Sequence, residues 1–286
     1  MQLTIKNLTK KYNSKKIGLS DYSIDISSGI LGVLGPNGAG KSTLMKMIST
    51  ITKPTQGDIF LNENDVVKHP NYMRQALGYL PQDFGVYPNL NAYEFLAYMA
   101  AMKGVGGKNL HHRIETLLEE VNLTDAAKNQ LKTYSGGMIQ RIGIAQALLN
   151  DPKVLIFDEP TVGLDPEERL RFRDLISDLA TNRIIILSSH IVSDIESIAD
   201  EVAIMKKGNL IIKDKQDSIT KLAEGKVYET TISRANIINF KSNFNVVSSY
   251  RMNNEFKVRY ISNAVNQIGE MVTPTLEDAY IYLTKN

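Results

Sequence analysis

No cysteine occurs among the 286 residues, which excludes disulfides, thiolate zinc sites and cysteine nucleophiles and fits a reducing compartment. Long apolar runs are missing too: the longest unbroken one, Phe95 to Met102, falls far short of the roughly 20 residues that cross a bilayer. Met1 to Lys16 is polar and lacks the apolar stretch of a secretory signal. The expectation is a soluble, intracellular chain that meets a membrane only through a partner. Neither sign of charge is in excess. The 33 Lys and Arg against 31 Asp and Glu leave +2, too little for bulk-charge binding to nucleic acid. What remains, 43% hydrophobic and 22% charged residues, is a globular composition that excludes disorder and collagen. The length suits one large domain and one small one.

Short apolar runs alternate with helical patterns over the first three quarters, the pattern of parallel strands joined by crossover helices. Ile30 to Leu34 reads as a buried strand and Thr43 to Ser49 as the helix after it. Val154 to Phe157 and Ile184 to Leu187 are further continuous runs, as strands covered on both faces require. Ser135 to Leu149 has Ile139, Ile142, Ala145 and Leu149 on one helical face and stops at Asn150-Asp151-Pro152. Val202 to Met205 and Leu210 to Ile212 flank a turn and predict a hairpin. Beyond about Asp214 the character changes. Val246 to Met252 and Phe256 to Ile261 flank Asn253-Asn254 as a second hairpin, and Thr275 caps a final helix bearing Leu276, Ala279, Tyr280 and Leu283. These features place a boundary near residue 216.

Gly35-Pro36-Asn37-Gly38-Ala39-Gly40-Lys41-Ser42 matches G-x-x-x-x-G-K-[ST] between a predicted strand and a predicted helix. Glycines let backbone N–H groups turn inward around phosphate oxygens, and the helix N-terminus behind them adds positive potential. Lys41 then reaches the β- and γ-phosphates, and the Ser42 hydroxyl is suited to Mg²⁺. A second oxygen ligand for that ion is expected at a neighbouring strand end, where Asp158 follows Val154 to Phe157. Glu159, next along, is placed to polarise the water that attacks the γ-phosphorus. Ser135-Gly136-Gly137 opens a helix as a second anion site, Gln82 follows the run Leu77 to Leu80, and His190 follows the strand at 184–187. Taken singly, each has a plain structural reading: a serine cap, a surface glutamine beside Pro81, a strand-end histidine. His111-His112 and His69-Pro70 read as surface features.

In this order the motifs resemble the ATP-binding subunit of an ABC transporter over about residues 2–215. Gly35 to Thr43 is similar to that family's phosphate loop and Gln82 to its glutamine loop. Tyr134-Ser135-Gly136-Gly137-Met138 resembles its signature motif, with Tyr134 for Leu and Met138 for Gln. Val154 to Pro160 resembles the second nucleotide motif with the catalytic Glu159, Gly163-Leu164-Asp165 the inter-subunit loop, and His190 the switch histidine. Tyr12, among Lys10, Lys11, Lys15 and Lys16, resembles the residue that stacks on adenine. Gly85 to Leu90 and Pro274 to Ala279 resemble the antibiotic-resistance-type (multidrug/bacitracin-like) branch of bacterial exporters.

The resemblance implies an α/β fold with a P-loop NTPase core of the ABC ATPase type. Its parts are a mostly parallel sheet flanked by helices, an antiparallel β subdomain and a helical subdomain over about 85–150, within a domain of 1–215. Residues 216–286 would then form a small α+β regulatory or dimerisation domain. ATP and Mg²⁺ are the implied cofactors, with Ser42, Gln82 and Asp158 toward the metal and Glu159, His190 and Lys41 in catalysis. Partners implied are an integral membrane permease, docked on Asp83 to Tyr98, and a second ATPase subunit whose Ser135, Gly136 and Gly137 complete the ATP site. The chain would sit in the cytoplasm at the inner face of the membrane. Two alternatives stand beside this one. A soluble ABC ATPase acting on DNA or ribosomes lacks support, because the stretch from Lys41 to Ser135 is too short for a long coiled coil and only one ATP module is present. A non-hydrolysing nucleotide sensor is disfavoured by Glu159 and His190.

Overall fold

The computed structural model describes residues 1–13, 16–263 and 268–285, so Lys15 lies outside the described residues. The chain divides into two compact units, Met1–Ile212 and Lys213–Asn286. The first opens with strands β1 (Gln2–Lys11), β2 (Ile17–Ser27) and β3 (Gly29–Leu34) and helix α1 (Lys41–Ile48). Strands β4 (Gln56–Leu61) and β5 (Asn64–Asp65), helix α2 (Pro70–Ala76) and strand β6 (Leu77–Leu80) follow. Helices α3 (Ala92–Met102), α4 (Leu110–Glu120) and α5 (Gly136–Leu148) come next. Then come β7 (Val154–Asp158), α6 (Pro166–Leu179), β8 (Ile184–Ser189), α7 (Val192–Glu196), β9 (Glu201–Lys206) and β10 (Asn209–Lys215).

Among the described residues the central sheet has the order β10-β9-β3-β8-β7-β6, and β9/β3, β3/β8, β8/β7 and β7/β6 pair in parallel. Every residue of β7 and β8 is buried, as strands with helices on both faces must be. Because these strands run one way, the C-terminal ends of β3, β6, β7 and β8 share one edge, and their loops emerge together there. A second, antiparallel sheet has the order β2-β1-β4-β5. The β9–β10 hairpin turns through Lys207 (φ 51°) and Gly208 (φ 82°), the two positive φ values that a tight two-residue turn demands. Helix α1 joins the two sheets. Leu44, Met45 and Ile48 pack in one cluster with Val33, Ile156 and Ile186 on one side and Leu3, Ile5 and Ile59 on the other. Each such buried side chain is worth about 1.5–3 kcal/mol.

Helix α1 starts at Lys41, ahead of the expected Thr43, because Gly40 at φ 105° turns the chain into it. A side chain at Gly40 would put its Cβ 2.5 Å from the Gly18 carbonyl oxygen, so only glycine fits. At the end of α5, the last carbonyls are met by two cations from neighbouring helices. Lys103 Nζ donates to Gln146 O (2.8 Å) and Arg113 to Leu148 O (2.7 Å), a favourable pairing with the negative helix terminus.

The second unit holds α8 (Gln216–Lys221), β11 (Val227–Ser233), α9 (Ile237–Asn243), β12 (Asn245–Met252), β13 (Glu255–Ile261), β14 (Glu270–Met271) and α10 (Leu276–Lys285). Its antiparallel sheet has the order β12-β13-β11-β14. Phe240 stacks on Phe244, and both meet the fully buried Tyr260 edge-on at 5.0 Å. Thr275 caps α10, its hydroxyl accepting from Asp278 N while its own N–H donates to the Asp278 carboxylate. Asp278, wholly buried, is bound by Arg259 (2.6 and 2.9 Å), which also reaches Glu229 (3.0 Å) and Thr273 O (2.6 Å). Lys257 and then Arg259 hold the Glu229 carboxyl below its usual range.

Removing Arg259 would leave the Asp278 charge buried and unpaired, a loss of about 3–5 kcal/mol. Arg259→Met in the full chain is therefore expected to accelerate hydrogen exchange of β13 and α10, with β7 and β8 unaffected. Unchanged protection in β13 would contradict this account of the unit's stability.

Candidate functional site

The loop from Gly35 to Gly40 leaves β3 at the shared edge of the central sheet. Its first residue is anchored from within: Lys41, almost fully buried, donates from Nζ to Gly35 O at 2.7 Å. Ala39 shapes the loop, its N–H donating to Pro36 O (3.0 Å) and its carbonyl accepting from Gly208 N (2.8 Å). A cavity of about 420 Å³ runs from Tyr12 and Gly18 across residues 37–43 to Gln82 and Glu159. Its volume is that of a small-molecule site. At one end the Tyr12 hydroxyl bonds to Thr43 Oγ1 at 3.2 Å, and Lys10 and Lys16 lie 5.6 and 5.5 Å from the ring centroid. This end offers an exposed aromatic face with positive charge around it.

The other end carries the acids. Parallel pairing sets Asp158 of β7 directly beside Ser188 of β8. Asp158 Oδ1 accepts from Ser188 Oγ at 2.6 Å and from Ser42 Oγ at 3.3 Å. Burial, with Asp158 second, pushes the phenol of the nearby Tyr79 up to about 12, so it stays neutral beside the acid. Glu159 then leaves the strand at φ 52°, a left-handed conformation that costs about 1–3 kcal/mol and needs support from its surroundings. Ser188 supplies it, accepting from Glu159 N through both its hydroxyl (3.0 Å) and its carbonyl (3.2 Å).

That turn aims the Glu159 carboxylate between two cation-forming groups. Oε1 lies 3.2 Å from Lys41 Nζ, and Oε2 lies 2.8 Å from His190 Nδ1. A carboxylate only accepts, so His190 Nδ1 carries the proton and Nε2 remains available. Glu159 is 8% exposed and the His190 side chain 41% exposed, so the histidine is the side that faces outward. Lys41, Ser42, Asp158, Glu159 and His190 thus form one connected polar group. Gln82, exposed after β6, borders the same cavity.

Other residues named from the sequence lie elsewhere. Ser135 caps α5, its hydroxyl accepting from Met138 N at 3.3 Å, and both Ser135 and Gly136 are exposed. Asp165 caps α6, accepting from Glu168 N at 2.9 Å, and is likewise exposed. Neither Ser135, Gly136, Gly137 nor Asp165 borders the cavity. Gly137 is where α5 presses on α6: a Cβ there would sit 3.0 Å from the Glu168 side chain, which Arg141 holds at 3.3 Å. Tyr134 is a packing residue, nearly buried with its hydroxyl on Ala126 O (2.9 Å).

The supporting polar residues Ser188, Thr161, Asp194 and Arg173 escaped the sequence reading. Ser188 had a signal, two serines ending an apolar run beside the acid-bearing strand. The others join segments far apart in the chain and had none.

Comparison with known proteins agrees with the geometry. The ABC transporter family model matches residues 19–162. The linearmycin resistance ATP-binding protein LnrL of Bacillus subtilis is 35% identical over 82% of this chain and 76% of its own length. The ABC transporter ATP-binding protein NatA of the same organism is 33% identical over 76% of this chain and 91% of its own length. Among solved structures, the ATP-binding subunit of an ABC transporter superposes with a TM-score of 0.69 at 28% identity, covering 78% of this chain and 93% of that one. On that match and coverage the chain belongs to the ABC transporter family, as an ATP-binding subunit with ATPase activity.

Proposed function

We propose that two copies of this ATPase pack head to tail, each ATP held between one copy's phosphate loop and the other's Ser135 loop, and that the pair powers export through a separate membrane permease. The observation that carries this reading is the division of the site. The cavity of one chain gathers Lys41, Gln82 and Glu159, while Ser135, Gly136 and Asp165 stand exposed outside it. An exposed helix N-terminus is suited to an anion, and a two-fold pair gives each such terminus a triphosphate to bind. Asp165 then serves the contact between copies.

Within one copy, an entering triphosphate competes with Gly35 O and Glu159 for Lys41. Glu159, released from Lys41 but still bonded to His190, accepts a proton from the attacking water. His190, its Nδ1–H committed to Glu159, would meet a γ-phosphate oxygen by donating from Nε2–H, a contact that needs the imidazolium form. Residues 37–43 present backbone N–H groups to the phosphates, and Tyr12 stacks on the adenine. The Ser42 hydroxyl and Asp158 carboxylate, oxygen donors 3.3 Å apart, fit Mg²⁺, with Gln82 a further oxygen from the end of β6. That ion supplies neutralisation of the phosphate oxygens. Association through the γ-phosphates makes the closed pair the state that ATP favours and ADP does not, which is how hydrolysis can do mechanical work.

Among the described residues no helix is long and apolar enough to cross a membrane, which suits a subunit held at the cytoplasmic face by a permease. The docking surface is assigned to Asp83–Tyr98, where the exposed Tyr87 and Tyr98 pack edge-on with centroids 5.1 Å apart. Export is supported by the name of the linearmycin resistance relative. The second unit is assigned a dimer-stabilising or regulatory role.

Glu159→Gln is expected to run as a dimer on gel filtration with saturating ATP and Mg²⁺ and as a monomer with ADP; a monomer under both conditions contradicts the paired mechanism. Tyr87→Glu is expected to abolish coupled transport while the isolated subunit's ATPase stays within about twofold of wild type. Intact transport in that variant removes the docking assignment. Leu90 is a poorer probe, being half-buried with its carbonyl bonded to Leu131 N.

A further inference from the structure

Three segments of the nucleotide site meet at a buried carboxylate that the hydrolytic chemistry does not use. Asp194 lies on α7, four residues after His190, and is 1% exposed. Its Oδ2 accepts from the Thr161 hydroxyl at 2.6 Å and its Oδ1 from Arg173 at 2.9 Å. Thr161, equally buried, lies two residues after Glu159, and Arg173 lies on the helix that Asp165 caps.

Each partner brings a different piece of the machinery. Pro160, between Glu159 and Thr161, locks its own φ, so little freedom remains between them. Fixing the Thr161 hydroxyl therefore fixes the left-handed turn that aims Glu159. Asp194 in turn fixes α7, whose preceding loop carries His190. Arg173 ties both to α6, and hence to Asp165. A buried charge is retained only when paired, and such a pair is better suited to specifying one geometry than to adding stability. Val162 and Gly163, at φ 79°, are exposed, while Thr161 and Leu164 turn inward, Leu164 N–H donating to Thr161 O at 3.2 Å; of the two, Thr161 is the one that reaches Asp194.

We propose that Asp194 is a positioning residue for ATP hydrolysis: through Thr161 and Arg173 it sets the Glu159–His190 contact and links it to Asp165. The inference rests on the proposed roles of Glu159 and His190. It concerns the rate of the chemical step and not nucleotide affinity, since none of the three side chains borders the ATP cavity.

The test uses the full chain with Thr161→Val, which keeps the shape and loses the hydroxyl, and Thr161→Ser, which restores it. Thr161→Val is expected to lower kcat about ten- to a hundredfold with KM for ATP within about twofold. Combined with Glu159→Gln it should still form the ATP-dependent dimer, and Thr161→Ser should return kcat to near wild type. Asp194→Asn, which keeps one carbonyl acceptor, should show the same split between kcat and KM and serves as the readout if Thr161→Val does not fold. Wild-type kcat in Thr161→Val or Asp194→Asn overturns the proposal, as does a parallel loss of kcat, nucleotide affinity and dimer that serine fails to rescue. If Glu159→Gln itself still hydrolyses ATP, the reading of the catalytic residues falls as well. An inactive Glu159→Gln beside a fully active Thr161→Val overturns the Asp194 role alone.

Discussion

The Glu159 carboxylate is pulled from two sides, by Lys41 at 3.2 Å and His190 at 2.8 Å, and much of the first unit serves to hold it there. Lys41 is rigid because its amine is also bonded to Gly35 O and its helix packs against both sheets. His190 follows β8, whose parallel pairing with β7 sets Ser188 beside Asp158. Ser188 then holds the backbone of Glu159 in a conformation that a non-glycine residue would otherwise leave. In the proposed mechanism an acid placed in this way is both a catalytic group and a competitor for the lysine that binds phosphate, so nucleotide entry and activation of the acid would be a single rearrangement.

The same architecture explains why Ser135 and Asp165 stand apart from the cavity, as the proposed pair requires. Loops from the C-terminal ends of four parallel strands converge, but the helices α3, α4 and α5 stand between the glutamine and acid loops in the chain and carry Ser135 away from the cavity. Arg141 of α5 holds Glu168 of α6 against Gly137, so Ser135 and Asp165 belong to two helices in direct contact. In the proposed pair, both would face the other copy, and a change at one would be felt at the other.

The residues of the candidate nucleotide site were legible in the sequence to the extent that they are local. The phosphate loop, Asp158-Glu159 and the Ser135 cap are contiguous motifs whose flanking apolar runs give their place in the fold. The first two strands were hidden, because Asn7 and Asp21 both adopt positive φ and break the alternation that would mark Leu3, Ile5, Leu8, Tyr22 and Ile24 as one buried face. Their side chains bond to each other at 2.8 Å, so the irregularity is shared between the strands. Likewise β11 and α9 carried no strong pattern, and their place is set by Phe240, Phe244 and Tyr260, which come together only on folding. Thr161, Asp194 and Arg173 were invisible for the same reason: a polar contact between distant segments leaves no spacing to read.

The central claim is that each ATP is enclosed by two copies. The absence of cysteine permits a direct test, in which Ser135→Cys and Asn37→Cys are introduced together into Glu159→Gln and mildly oxidised. The account predicts a disulfide between copies that forms with ATP and Mg²⁺ and does not form with ADP. A disulfide confined to single chains, or one between copies that ignores the nucleotide, would contradict it.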